Sequence, residues 1–153
     1  MRKKIKEIIE LNMVLEKTVG ELYRFYAQWF PDDESFWMQL FREETEHAKL
    51  LEEAGLHKEK EVAGVKTVYP HTDATRDAIQ KINEYIAQGK EKTPTKREAC
   101  EFALFLESSA SEFHLQYLIK KSGDDDLLGV FKHLNGADEN HARRIADYMR
   151  EKT

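Results

Sequence analysis

Two stretches, WMQLFREETEHAKLL at 37–51 and FKHLNGADENHARRIADY at 131–148, each place an acid and a histidine inside an apolar helical pattern. In the first stretch, Glu44 and His47 continue the three- and four-residue spacing of its apolar residues, which are Trp37, Leu40 and Leu51. In the second, Asp138 and His141 continue the same spacing among Phe131, Leu134, Ile145 and Tyr148. A stripe with this period packs into a protein core. Both acid-x-x-His pairs are therefore expected to be buried.

Burial of these acids requires a compensating partner, because a desolvated carboxylate without one costs several kcal/mol. Neither stripe carries a lysine or arginine that could serve. A bound cation would stabilise both pairs in the same way. The alternative for each pair is an acid and a histidine that satisfy one another within the core.

The composition indicates a helical protein with a single core. The chain has 153 residues, of which 35% are charged, with only three prolines and seven glycines. A net charge of −5 without a basic stripe disfavours a nucleic-acid partner, and no apolar run predicts a membrane partner. No apolar segment follows the charged N-terminus, so we expect a cytoplasmic protein. The only cysteine, Cys100, excludes an internal disulfide and is expected in the core.

Helix breakers and caps predict an all-α fold made of two helical hairpins. Pro31 separates helices at about 3–30 and 34–54, and Gly55 is expected to end the second. Residues 55–72 are expected to be a loop, followed by a short helix at 73–88 that stops at Gly89. A capping box at Thr95 and Glu98 starts a helix that runs to about 121, and a turn at 122–124 precedes the last helix at 125–151. We expect one domain, 1–153, with hairpins at 3–54 and 93–151 and a crossover connection at 55–92.

Each hairpin also offers a lone acid on its first helix. The run EKTVGELY at 16–23 is matched by ESSASEFH at 107–114. Counting from the turns places Glu16 within about 3 Å of the level of Glu44, and Glu107 within about 1.5 Å of the level of Asp138. Glu21 is a rival to Glu16, because it also lies opposite Glu44 if the turn is tight. Glu16 is favoured because its helical stripe is more apolar.

This layout resembles the ferritin-like carboxylate proteins, in which two Glu and two Glu-x-x-His motifs point into a four-helix bundle. Within that superfamily it is most similar to rubrerythrin-like domains. The residues that carry the similarity are Glu16-Lys17, Glu21-Leu22-Tyr23 and the run EETEHAKLL at 43–51. The resemblance covers the four long helices and not the connection at 55–72.

The resemblance implies a centre with two iron ions, for which manganese or zinc could substitute. Glu16 and Glu107 would be terminal ligands, Glu44 and Asp138 would bridge the metals, and His47 and His141 would supply nitrogen. Tyr23 would donate a hydrogen bond to a carboxylate. The implied partners are metal ions, O₂ or peroxide, an electron donor that the sequence does not identify, and a second copy of the chain in a homodimer.

Four departures from the family pattern matter. Asp138 replaces the usual Glu and is one methylene shorter, so its bridging could be asymmetric or lost. His114 stands where the second hairpin usually has Tyr, which makes it a hydrogen-bond donor or an extra ligand, with Glu112 as a further alternative beside it. An additional acid is missing, since Leu104 and Ala110 are apolar. A rubredoxin domain with four cysteines is also missing, so a complete rubrerythrin peroxidase is not expected.

The donor set favours redox metals without reference to any family. Four carboxylates balance the charge of two divalent cations, and oxygen donors with two imidazoles suit iron, manganese or zinc. We therefore expect a redox protein that acts on Fe(II), O₂ or peroxide. The alternative is a metal-binding or helical interaction protein without enzymatic activity, in which the site is degenerate.

Overall fold

The computed structural model describes the backbone of residues 2–58, 72–119 and 125–153, and the side chains of 6–55, 72–111, 113–114 and 128–153. Within these ranges the chain forms helices and no strand, which confirms the predicted all-α class. The helices are α1 (Arg2–Trp29), α2 (Glu34–Lys58), α3 (Thr72–Glu91), α4 (Lys96–Ile119) and α5 (Asp125–Lys152). In the described part of the chain, no helix is both long enough and apolar enough to cross a membrane.

The long helices pack in sequential pairs. Helix α1 lies along α2, with a 3₁₀ turn at Pro31–Asp33 between them, and α4 lies along α5. Helix α3 packs against α1, and α2 contacts α5, so the two pairs meet. All five helices contribute side chains to the main core, among them Leu22, Trp37, Ile82, Ala103 and Ile145. Burial of each large apolar side chain contributes roughly 1.5–3 kcal/mol to folding.

Cys100 and the aromatic cluster near the first turn are part of this core. Cys100 is fully buried, as predicted. Trp37 makes edge contacts with Tyr26 at 4.9 Å and with Tyr148 at 5.1 Å between ring centroids. Phe36 stacks on Tyr148 at 4.5 Å. These rings join α1, α2 and α5 within the core.

The predicted capping box at the start of α4 is confirmed. The backbone N–H of Glu98 donates to Thr95 Oγ1 at 3.1 Å, and the backbone N–H of Thr95 donates to a Glu98 carboxylate oxygen at 3.2 Å. These two bonds satisfy donors that the first turn of a helix otherwise leaves open. The predicted turn at 122–124 and most of the predicted loop, 59–71, lie outside the described residues.

Two predicted helix ends are wrong, and both were placed at glycines. Helix α2 continues through Gly55 to Lys58, so 55–58, including His57, are helical, and α3 continues through Gly89 to Glu91. Neither glycine has a positive φ. A Cβ on Gly55 would lie 3.3 Å from Ile9 Cγ2, and one on Gly89 would overlap the Trp29 ring, 2.2 Å from Cη2. These glycines allow α1 to approach α2 and α3 closely, and they do not terminate helices.

Candidate metal centre

The residues expected to bind metal converge in the interior. The six side chains are all buried, with exposed fractions of 6% or less: Glu16, Glu44, His47, Glu107, Asp138 and His141. Tyr23 and His114 are also fully buried. The sequence argument that both acid-x-x-His pairs are desolvated is therefore confirmed.

The first hairpin closes one triad of candidate ligands. His47 Nδ1 lies 3.2 Å from Glu16 Oε2 and 3.3 Å from Glu44 Oε2. One ligand atom from each of the three residues lies within 4.8 Å of the others. Glu44 and His47 are one turn apart on α2 and so share a face, and Glu16 meets them from α1. This triad could hold one cation.

A second triad joins the two hairpins and reuses Glu44. His141 Nδ1 lies 2.8 Å from Glu44 Oε1 and 3.3 Å from Glu107 Oε1. The atoms Nδ1 and Glu44 Oε1 are close, but they are not aligned for a hydrogen bond, and Oε1 is a buried acceptor without a partner. Glu44 therefore presents one oxygen to each triad. This is the arrangement of a carboxylate that bridges two cations.

Contacts with residues outside the second triad orient its side chains. Sequence reasoning missed two of these residues, Glu43 and Arg144. The Tyr23 hydroxyl donates a hydrogen bond to Glu107 Oε1 across the hairpins. His141 Nε2 lies 3.0 Å from Glu43 Oε2, which in turn pairs with Arg144 Nη1 at 2.7 Å. Such contacts fix the tautomer and the orientation of a metal-binding imidazole. Glu43 and Arg144 were overlooked because both are partly exposed and lie beside the apolar stripes, although Arg144 is only one turn beyond His141.

Asp138 does not join Glu107 and His141 as expected. Its Oδ2 lies 2.6 Å from His114 Nδ1, seven residues beyond Glu107 on α4. The Asp138 carboxylate therefore meets an imidazole instead of Glu107, while the estimate that the two residues lie at the same level of their helices stays a prediction. Glu16, His114 and Asp138 form a third triad, in which His114 Nε2 lies 3.5 Å from Glu16 Oε1. The short aspartate side chain reaches the imidazole of its own hairpin and leaves Glu44 as the carboxylate common to the other two triads.

The rival positions have different surroundings. The Glu21 carboxylate pairs with Arg24, with Nε at 3.0 Å from Oε2, and the side chain is 44% exposed. It lies outside the buried triads, in which Glu16 takes part. The side chain of Glu112 lies outside what the structure describes.

Among the described side chains, the buried carboxylates are compensated by imidazoles and by the hydroxyl of Tyr23. In this part of the chain, no lysine or arginine forms an ion pair with Glu16, Glu44, Glu107 or Asp138. Burial opposes the charged form of His47, but its hydrogen bonds to Glu16 and Glu44 prevail and raise its pKa to about 10.

In the metal-free cluster, bound protons therefore supply the positive charge that metal ions would otherwise supply. Burial also opposes charge on His141, yet Glu107 and Glu44 raise its pKa to about 11. Burial, aided by the nearby Glu44 charge, raises the pKa of Glu16 to about 7. Burial and the surrounding carboxylates likewise hold the pKa of Asp138 well above its usual value. Metal ions would have to displace these protons in order to bind.

The comparisons with known proteins leave the family open. No protein-family model, curated protein or solved structure matches this chain. The similarity to rubrerythrin-like domains therefore stays a prediction based on the residues quoted above. Conclusions about function depend on the chemistry of the three triads.

Proposed function

We propose that this chain is a ferritin-like four-helix bundle that holds two divalent metal ions at its centre and uses them for redox chemistry on Fe(II), O₂ or peroxide. The observation that carries the proposal is the position of Glu44, whose two oxygens face two separate His-carboxylate triads. A structural core pair needs one acid and one histidine, whereas here one acid serves a histidine on each side.

The donor set fits two such ions. Four buried carboxylates supply the negative charge that two divalent cations neutralise, and two imidazoles provide softer nitrogen donors. The donor atoms are oxygen and nitrogen, which favours iron, manganese or zinc over metals that require thiolates. Glu44 Oε1 accepts no hydrogen bond and lies 2.8 Å from His141 Nδ1, and a cation would satisfy it in place of the protonated imidazole.

Each residue has a definite part in this proposal. Glu16 and His47 would hold one ion, Glu107 and His141 the other, and Glu44 would contact both. When bound, two iron ions supply a pair of electrons for the reduction of O₂ or peroxide. Tyr23 keeps Glu107 in place through its hydrogen bond, and Glu43 does the same for His141. The apolar residues around the cluster exclude bulk water from it.

One observation favours the alternative of a metal binder without redox activity. Asp138 is engaged with His114, so the second triad has one carboxylate fewer than the resemblance implies. A second ion held by fewer ligands would bind more weakly, and a partly loaded site could not deliver two electrons together.

Anaerobic titration with Fe(II), followed by exposure to air or peroxide, tests the proposal. We expect two equivalents to bind and to be oxidised rapidly, with the growth of near-ultraviolet absorption as the readout. Binding of two equivalents without oxidation would support the alternative. Binding of less than one equivalent by folded protein would rule out both.

A further inference from the structure

One ring nitrogen of His114, Nε2, is buried and faces the Glu16 carboxylate without a hydrogen bond to it. His114 Nδ1 lies 2.6 Å from Asp138 Oδ2, which is a hydrogen-bond distance. Nε2, on the other side of the ring, faces Glu16 Oε1 at 3.5 Å. The residue is fully buried, and Nε2 has no hydrogen-bond partner. A cation held between Nε2 and Oε1 would satisfy both atoms.

The separation suits a shared cation better than a hydrogen bond. Hydrogen bonds from nitrogen to oxygen span about 2.7–3.2 Å, which is shorter than the 3.5 Å found between Nε2 and Oε1. Two ligands of a tetrahedral cation with bonds of about 2.1 Å are about 3.4 Å apart. The hydrogen bond from Asp138 to the opposite ring nitrogen would fix the orientation of such an imidazole ligand.

Comparison with the other hairpin shows what the histidine changes. Tyr23 comes seven residues after Glu16 and donates its hydroxyl proton to Glu107. His114 comes seven residues after Glu107 and faces Glu16. The two residues thus occupy corresponding places, but a phenol donates a proton there, whereas this imidazole offers a lone pair.

His114 does not belong to the first triad. In the described part of the chain, candidate ligands gather within 4.8 Å as three triads, and no set of four includes His114 with Glu44 and His47. Ligands of one ion with bonds of about 2.1 Å lie at most about 4.2 Å apart. A cation beside His114 would therefore occupy a position of its own.

We propose that Glu16 Oε1 and His114 Nε2 form a third position for a divalent transition-metal ion, with Asp138 orienting the imidazole and Glu16 shared between this position and the first triad. The inference rests on the proposed two-metal function, because Glu16 belongs to both. The third ion binds more weakly than the first two, since two cations already neutralise the four carboxylates. The imidazole selects zinc, cobalt or iron over magnesium and calcium.

Anaerobic titration with Co(II), followed by equilibrium dialysis and visible absorption, tests the third position without any redox step. We expect the native protein to bind three equivalents, the third at least about tenfold more weakly than the others. The H114A variant should bind two, with the first two affinities changed by less than about twofold. Free imidazole added to H114A should restore the third equivalent. H133A should bind three, because His133 is exposed and outside the triads, although its ring lies 5.9 Å from that of His47.

The outcomes separate the two proposals. Two equivalents in both the native protein and H114A, with equal affinities, would overturn the third position and leave the two-metal function intact. A native protein that binds two, one of which H114A loses, would make His114 a ligand of the main pair and would also overturn it. Less than one equivalent in the native protein would end both proposals. H114Y keeps an aromatic ring and a hydrogen-bond donor, and it should bind two equivalents even if H114A folds poorly.

Discussion

In the part of the chain whose side chains the structure describes, carboxylates are buried at two places and are compensated differently. At the end of the bundle, Asp33 accepts a hydrogen bond from Tyr148 at 2.7 Å and pairs with Lys96 Nζ at 2.7 Å. Lys152 Nζ lies 3.6 Å from the other oxygen. At the centre, four buried carboxylates meet only imidazoles and one phenol among the described side chains.

The difference indicates that the central carboxylates have no fixed positive charge beside them among the described side chains. Asp33 shows that this fold can bring lysines to a buried acid, whose negative charge is then compensated within the chain. The central carboxylates have only titratable partners, whose protons can leave when a cation arrives. Charge compensation within the chain is therefore a mark of a structural cluster, whereas its absence supports the assignment of the centre as a metal site.

Replacement of the shared carboxylate should have the largest effect. E44Q keeps the size of the side chain but removes the charge that both main triads use. We expect metal content after iron loading to fall from about two ions per chain to less than one, because each position loses a ligand. Elemental analysis and circular dichroism on the same samples measure this. The exposed neighbour Glu46 gives the control, E46Q, and equal metal content in both variants would contradict the assignment of Glu44.

Metal affinity should depend steeply on pH. The pKa of His47 is raised to about 10 and that of His141 to about 11, so both imidazoles are protonated at neutral pH in the metal-free protein. Each ion must displace at least one proton, so the overall affinity for two ions should rise about 100-fold per pH unit. Competition with a chelator between about pH 7 and 8.5 measures the slope. H47Q should lower it to about tenfold, and an affinity independent of pH would show that these imidazoles are not ligands.

The sequence was sufficient for the helical class and for the burial of the ligands, because both follow from periodic patterns. The sequence was insufficient where one residue type fits either of two roles and the pattern does not show which role applies. Gly55 and Gly89 fit the pattern of helix ends, yet their small size serves contacts with Ile9 and Trp29.

The candidate site shows the same limit for contacts between helices. Counting from the turn estimated the level of Asp138 along α5, but it did not show which side chain the carboxylate meets. Its contact with His114 depends on how α4 and α5 are aligned, which no single-helix pattern contains. Glu43 was missed for a related reason, since its contact with His141 joins α2 to α5.

A moderate loss of stability is expected when the compensated cluster is broken. D33N removes the charge that pairs with Lys96 and Lys152 and should cost roughly 1–2 kcal/mol of unfolding free energy at neutral pH. Burial opposes ionisation of Asp33, but Lys96 and Tyr148 prevail and lower its pKa. Its contribution is therefore present above the unfolded pKa and is lost as the pH falls through the lower folded value.

Urea unfolding of D33N and of D32N, which alters an exposed neighbour, measures this cost at neutral and acidic pH. The cost should shrink towards zero in acid and should be the same with and without metal. A loss of metal content in D33N would contradict the separation between the two clusters.

The smallest effect is expected at Gly20, where α1 meets α2 beside the centre. A Cβ on Gly20 would lie 3.2 Å from Glu44 Cβ and 3.5 Å from Phe41 Cδ2, so α2 would have to shift by a few tenths of an ångström. Alanine favours the helix by about 1 kcal/mol over glycine, and this gain offsets the strain, so G20A should leave stability nearly unchanged. The shift moves Glu44, however, and metal affinity should fall several-fold.

Gly136 on α5 is the matched control, because a Cβ there would meet nothing within 4 Å, and G136A should gain stability and keep its affinity. Chelator competition and urea unfolding on both variants decide the matter. If G20A gains as much stability as G136A and binds metal normally, the contact between α1 and α2 is not what positions Glu44.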